Sequence, residues 1–326
     1  METSVDLPIA IIGSGFLRTA LLRQLGTRCP GTRVRVLSPV APDPVSGVHL
    51  EHVQGRLTDQ SALYAALTGV GAAIHLGMEA SSGHRGHTVS NPYTVNARGT
   101  AALTSAAITQ GCRHVIYCST ADVYGDAPGR LLDEGDPVAP HTRPARAKVI
   151  GERLVEQFGT LPGRLSTIVR PFGLYGPGQP AGSTMGRILA CALSGHPITL
   201  PGGGTQLRSF TYIDDVARGV IAALRRTNTA VAPHACYNIA SLETFSIRDA
   251  AKLAISLIGG GSVVSVPRIS SRRHSAHERP ITVQIPSTER AANELGFRST
   301  TLLTEGLSRC IPHAHLTAPA RELVTA

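Results

Sequence analysis

Through the first two-thirds of the chain, short β-branched apolar runs alternate with stretches of helical periodicity, and this alternation restricts the fold more than any other feature. "PIAIIG" (8–13) predicts a buried strand entering a glycine turn, and "FLRTALLRQL" (16–25) sets Leu17, Leu21, Leu22 and Leu25 on one helical face. Further strands are expected at 32–38, 71–77, 114–120 and 165–172, and helices around 60–68, 96–110 and 145–158. Strands that each return through a helix pair in parallel, with right-handed crossovers. The expected class is α/β, a Rossmann doubly wound parallel sheet with a smaller C-terminal substrate lobe. Gly, Pro and short elements dominate from about 174, so the dinucleotide-binding domain is expected over 1–173 and 209–240. The substrate-binding lobe is then 174–208 and 241–326.

Composition narrows the partners. With 42% apolar and 16% charged residues the chain has an ordinary globular balance. No run approaches the ~18 apolar residues a membrane span needs, and Glu2 and Asp6 make the N-terminus a poor secretory signal. A cytoplasmic protein without membrane contact is expected. The six cysteines show no C-x-x-C spacing and no accompanying His cluster, which predicts reduced thiols, mostly buried, and no metal. The net charge of +9 is scattered, without a basic run interleaved with aromatics, so nucleic acid is not expected as a partner. The patterning fixes no oligomeric state. Only two of the 31 basic residues are lysines, Lys148 and Lys252, so a lysine at any particular site carries information.

Gly13-Ser14-Gly15-Phe16-Leu17-Arg18 lies between the first strand and the first helix, the context a dinucleotide-binding turn requires. Glycines allow the tight turn and the approach of a pyrophosphate, and the helix N-terminus supplies free N–H groups and a positive dipole end. Two features bear on the cofactor. Arg18 stands at the third glycine position, and the second strand ends at Ser38 where an acid would grip an adenosine ribose. A carboxylate there would repel a 2′-phosphate, whereas a serine donates to it and an arginine neutralises it. NADP(H) is therefore expected over NAD(H).

Later segments occur in one order: "GCRHVIYCSTADVYG" (111–125), "RPARAKVIGE" (143–152), "RPFGLYGPGQ" (170–179), "GGGTQLRSFTYIDDVA" (202–217) and "STERAANELGF" (287–297). Together they resemble the extended short-chain dehydrogenase/reductases, which include nucleotide-sugar epimerases and dehydratases. The resemblance implies cofactor contacts at Gly13, Gly15, Phe16, Leu17, Arg18, Ser38, Arg56, Leu57, Leu76, Gly77, Lys148 and Pro171. It also implies a catalytic hydroxyl at Thr120, a catalytic ammonium at Lys148, and substrate contacts at Thr120, Tyr124 and Gly173.

Several positions depart from the family pattern. The Y-x-x-x-K tyrosine position is Pro144, which suits a first helical turn but carries no proton. Gly173 replaces the usual Asn, and Arg56 replaces the acid that reads adenine, either stacking on the base or meeting the 2′-phosphate. The "RRPGD" segment is Arg272-Arg273-His274-Ser275-Ala276. Arg208, a diphosphate ligand in sugar-nucleotide relatives, is kept, as a substrate ligand or in a structural salt bridge. The dehydratase Thr-Asp-Glu run is Thr120-Ala121-Asp122, which disfavours dehydration.

An epimerase moves proton and hydride twice through its tyrosine, whereas a reductase needs one proton once. The expectation is a ketoreductase acting on an aromatic polyketide ketone, with its proton relayed by Thr120 or supplied by a phenol of the substrate. Tyr124, Glu79, His84, His87 and His141 are further polar candidates near the cleft. The alternatives are a non-redox cyclase or isomerase using the cofactor as scaffold, and an NADP(H)-sensing binding protein.

Overall fold

A computed structural model describes residues 8–77, 91–226, 232–259, 261–265 and 281–314. The first half runs β1 (Ile9–Ile12), α1 (Phe16–Arg28), β2 (Thr32–Ser38), β3 (Val48–Gln54), α2 (Gln60–Leu67), β4 (Ala72–His75), α3 (Thr100–Thr109) and β5 (His114–Cys118). A π-helical turn, Thr94–Gly99, leads into α3, and a 3-10 turn, Ala121–Tyr124, follows β5. Next come α4 (Arg143–Gly159), β6 (Leu165–Pro171), α5 (Thr184–Leu193), β7 (Ile198–Thr199), β8 (Leu207–Arg208), α6 (Ile213–Leu224) and β9 (His234–Ile239). The chain continues through β10 (Phe245–Ser246), α7 (Ile247–Ile258), β11 (Val264–Ser265), β12 (Val283–Gln284), α8 (Glu289–Leu295) and α9 (Leu303–Ala314).

Seven parallel strands form one sheet in the order β3-β2-β1-β4-β5-β6-β9, which is the doubly wound α/β arrangement expected. Alternation along β1 builds two cores. Ile9 and Ile11 join the cluster containing α1 and α6, while Ala10 and Ile12 join the cluster with α2 and α3 on the other face. Both faces are buried, so β1, β4 and β5 read as continuous apolar runs. The strand order reverses direction at β1 and β4, so a crevice opens at their C-terminal ends, where such sheets bind ligands.

Beyond the sheet, β8 pairs with β10 and β12, β7 pairs with β11, and α5, α7 and α9 pack together. The expectation that short elements dominate after 174 is only partly met, since α6, α7 and α9 each span 12 residues. Among the described residues no helix is long and apolar enough to cross a membrane. Of the six cysteines, Cys112, Cys118, Cys236 and Cys310 are buried and Cys29 and Cys191 half-buried, all as free thiols.

Candidate active site

The crevice at the switch point is lined by Ile12 and Gly13 at β1, Leu37 from β2, Gly55 and Leu57 after β3, His75 and Gly77 at β4, and Val95. Gly15 caps α1 with φ 106°, a conformation L side chains rarely adopt, and offers no side chain to the helix N–H groups. The first turn of α1 contains no acidic residue, so its dipole end stays available to an anion. Phe16 and Leu17 begin that helix, Leu17 in the core. Arg18 Nη1 donates to Ser38 Oγ at 3.0 Å, joining α1 to the end of β2. Its Nε is buried without a hydrogen-bond partner among the described residues, and burial pulls the guanidinium below its ordinary pKa. A dinucleotide fits such a cradle: free helix N–H groups, an uncommitted buried donor and an apolar slot. His52 Nε2 lies 3.0 Å from Ser38 O and supports this corner from β3. Arg56 is exposed beyond Gly55, beside buried Leu57.

Lys148 is the best-defined polar group in the crevice. α4 starts at an N-cap, Thr142, whose side chain accepts from Ala145 N, with Pro144 in the first turn and exposed. One turn later Lys148 points inward, is 7% exposed, and donates to Cys118 O at 2.5 Å, its Nζ 5.0 Å from the centre of the Tyr117 ring. A Cβ on Gly77 would overlap Nζ, so the lysine lies flush against the end of β4. Burial pulls its pKa down to about 8, opposed by Cys118 and Glu152.

A second network fixes the wall beside it. Gly77 N donates to His75 Nδ1 at 3.2 Å, so the ring proton is on Nε2, which donates to Thr100 Oγ1 at 3.0 Å. Thr100 in turn donates to Asn96 O, and Tyr117 Oη to Asn96 Oδ1 at 3.3 Å. Burial, with the nearby Lys148 charge, holds His75 neutral with a pKa of about 3. The sequence reading missed His75, Asn96 and Thr100. A lone histidine inside "AAIHLG" was the available signal.

Thr120, half-buried, accepts from Asp122 N at 3.3 Å, and among the described residues its own hydroxyl proton has no acceptor. Leu76 and Pro171 are buried, Leu76 beside β1 and Pro171 beside β9. Tyr124, expected at the substrate, is 2% exposed, donates to Asn238 Oδ1 at 2.7 Å and stacks on Arg170. Beneath it Arg170 binds Glu152 through two hydrogen bonds of 2.9 and 2.7 Å, both residues buried. Neither Tyr117 nor Tyr124 therefore stands in for a tyrosine at 144.

Gly173 is exposed, with φ 49°, and a Cβ there would overlap Ser209 O. The backbone of 173–175 is instead laced to Thr211, which accepts from Tyr175 N and donates to Gly173 O. Arg208 donates to Leu207 O at 2.8 Å and Ile281 O at 2.7 Å. His141 is half-buried near Gly125. Glu79, His84, His87 and the 272–276 segment lie outside the described residues.

Residues 9–240 match the NAD dependent epimerase/dehydratase family. A dTDP-glucose 4,6-dehydratase of Streptomyces griseus is 27% identical over 220 residues, 68% of this chain and 64% of that protein. The chain thus spans less than two-thirds of that relative. A second dTDP-glucose 4,6-dehydratase, from Streptomyces antibioticus, is 26% identical over 283 residues, covering 86% of this chain and 79% of the relative. In structure, MoeE5 bound to UDP-glucuronic acid and NAD superposes with a TM-score of 0.80 at 24% identity, over 95% of this chain and 100% of that one. UDP-glucuronic acid 4-epimerase from Bacillus cereus, also with NAD, gives 0.81 at 22% identity over 95% and 100%. At these identities the two structures establish the shared fold.

Proposed function

Since the chain belongs to the NAD dependent epimerase/dehydratase family, we propose that it is an NADP(H)-dependent ketoreductase. Its substrate is a ketone on an aromatic, angucyclinone-like polyketide of antibiotic biosynthesis. The observation that carries the reading is the Pro144–Lys148 pair: the lysine is kept and buried against β4 and β5, while the position one turn before it carries no acid. This departure resembles the ketoreductase of simocyclinone biosynthesis.

The cofactor assignment rests on the α1 corner. Arg18 brings a positive charge and its Nε donor to where a 2′-phosphate would stand, and Ser38, which accepts from Arg18 and donates to Val40 O at 2.7 Å, takes the place of a repelling carboxylate. When bound, the cofactor supplies a hydride. Lys148 anchors the nicotinamide ribose, and Thr120 donates its hydroxyl proton to the ketone oxygen as a hydrogen bond, without giving it up. The proton that completes the alcohol comes from a phenol of the substrate next to the ketone, because Thr120 is too weak an acid to release one.

Magnitudes permit this. General acid catalysis contributes typically ~10²–10⁴-fold, about 3–5 kcal/mol. Holding donor and acceptor in a reactive geometry contributes roughly 7–11 kcal/mol. A single reduction survives loss of the smaller contribution.

The test is the reduced-nicotinamide absorbance with a panel of hydroxylated polycyclic ketones and their O-methyl ethers. NADPH consumption with the free phenol and none with the ether is expected. Full-rate reduction of the ether refutes the proton source, and product without NADPH consumption points to a cyclase or isomerase. Tight NADP(H) binding with no turnover of any ketone points to a sensor.

A further inference from the structure

The turn that follows β5 meets β12 and β8 beyond the C-terminal ends of the sheet strands. Asp122 sits in the 3-10 turn that follows Thr120, and its backbone N–H is the one that donates to Thr120. Its side chain is exposed to water in the turn that follows β5, yet protein surrounds it on most sides. Desolvation raises its pKa above the ordinary carboxyl value, against the opposing influence of Arg208 and a hydrogen bond with Gln284. Gln284 is nearly buried and holds the turn, donating to Ala121 O and Gly125 O at 3.2 Å each. Asp126 clamps the neighbouring strand, accepting from Thr282 N and Val283 N at 2.8 Å. Arg208, paired in register with Gln284, feels both carboxyl groups and spends two donors on main-chain carbonyls.

A diphosphate needs an unbalanced cation with free donors. Here the arginine's field is offset by two acids, one of which is exposed in the turn capped by Thr120. We propose that Asp122 is a specificity-determining residue of this cleft. It accepts a hydrogen bond from a hydroxyl of a neutral substrate and, with Asp126, offsets the charge of Arg208 so that a nucleoside diphosphate gains little there. The inference deepens the reading above and rests on its neutral, hydroxylated substrate.

Isothermal titration of UDP into the NADP-saturated full chain tests the electrostatic half. Asp122→Asn is expected to bind UDP at least about tenfold more tightly than the parent protein, and Asp122→Asn/Arg208→Gln to lose that gain. Equal UDP binding by parent and Asp122→Asn, including none by either, overturns the proposal. So does a gain that persists without Arg208. For the hydroxyl contact, the parent protein should prefer 6-hydroxy-1-tetralone to 1-tetralone, and Asp122→Ala should lose the preference. The same preference in both proteins, or in neither, overturns it. NADP affinity checks that each variant is folded. None of these measurements needs turnover, so failure of the ketoreductase assay and failure of this proposal are separate results.

Discussion

Replacing Lys148 by methionine should make the cofactor-free protein more stable while abolishing its NADPH-dependent activity. The ammonium is 7% exposed and donates to Cys118 O, and burial nevertheless lowers its pKa from 10.5 to about 8. At about 1.4 kcal/mol per pH unit, keeping it protonated in the native state at pH 7 costs on the order of 3 kcal/mol relative to the unfolded chain. Methionine fills similar space without a charge. The pH dependence fixes the sign. Between about pH 8 and 10.5 the folded lysine has lost its proton while the unfolded one still holds it, so parent stability rises with pH through that window. Urea denaturation at pH 7 and pH 10, without cofactor, should show Lys148→Met ahead by a few kcal/mol at pH 7 and the gap nearly closed at pH 10. A variant no more stable than the parent at pH 7, or a gap that does not change with pH, would refute the buried-ammonium argument.

Two further substitutions probe the rest of the site. Ser38→Asp places a carboxylate where Arg18 now donates to a hydroxyl, and should weaken NADPH binding by roughly 100-fold, with NADH much less affected, in fluorescence titrations. Glu152→Gln leaves the buried Arg170 charge without its carboxylate and should cost about 3–5 kcal/mol in urea unfolding, with NADPH affinity of the remaining folded protein little changed.

The sheet was legible because parallel strands buried on both faces leave uninterrupted apolar runs, and β2 falls on the expected 32–38. β3 was not, since it is the edge strand and carries His49, Glu51 and His52 at partly or fully exposed positions. The helix expected at 96–110 divides, because the backbone widens into a π turn that places Asn96 beneath Tyr117. At the site, the glycine turn and Lys148 could be read locally, one from its neighbours in sequence and the other from the scarcity of lysine. The His75–Thr100–Asn96 chain depends on β4 and the start of α3 converging, which no window of sequence displays. The bond from the Tyr124 hydroxyl was hidden for the same reason, its partner lying 114 residues away in β9.

The departures from the family pattern touch two regions. At the corner of α1 and β2, Arg18, Ser38 and Arg56 depart from it, while the glycine turn and Lys148 are kept. Pro144 and Gly173 depart elsewhere, one turn before Lys148 and just after β6. A buried ammonium that destabilises the free protein is compensated only when a ligand engages it, and ligand binding restores stability in proportion to its affinity. That compensation would serve a binding protein as well as an enzyme. Thr120 bears on the choice: its oxygen accepts from Asp122 N, and among the described residues its proton has no acceptor. A sensor has no use for such a donor, whereas a ketone gaining hydride develops negative charge on its oxygen and binds the donor more tightly as it reacts. The proposed reduction would give both groups a role, where cofactor binding alone would give one only to Lys148.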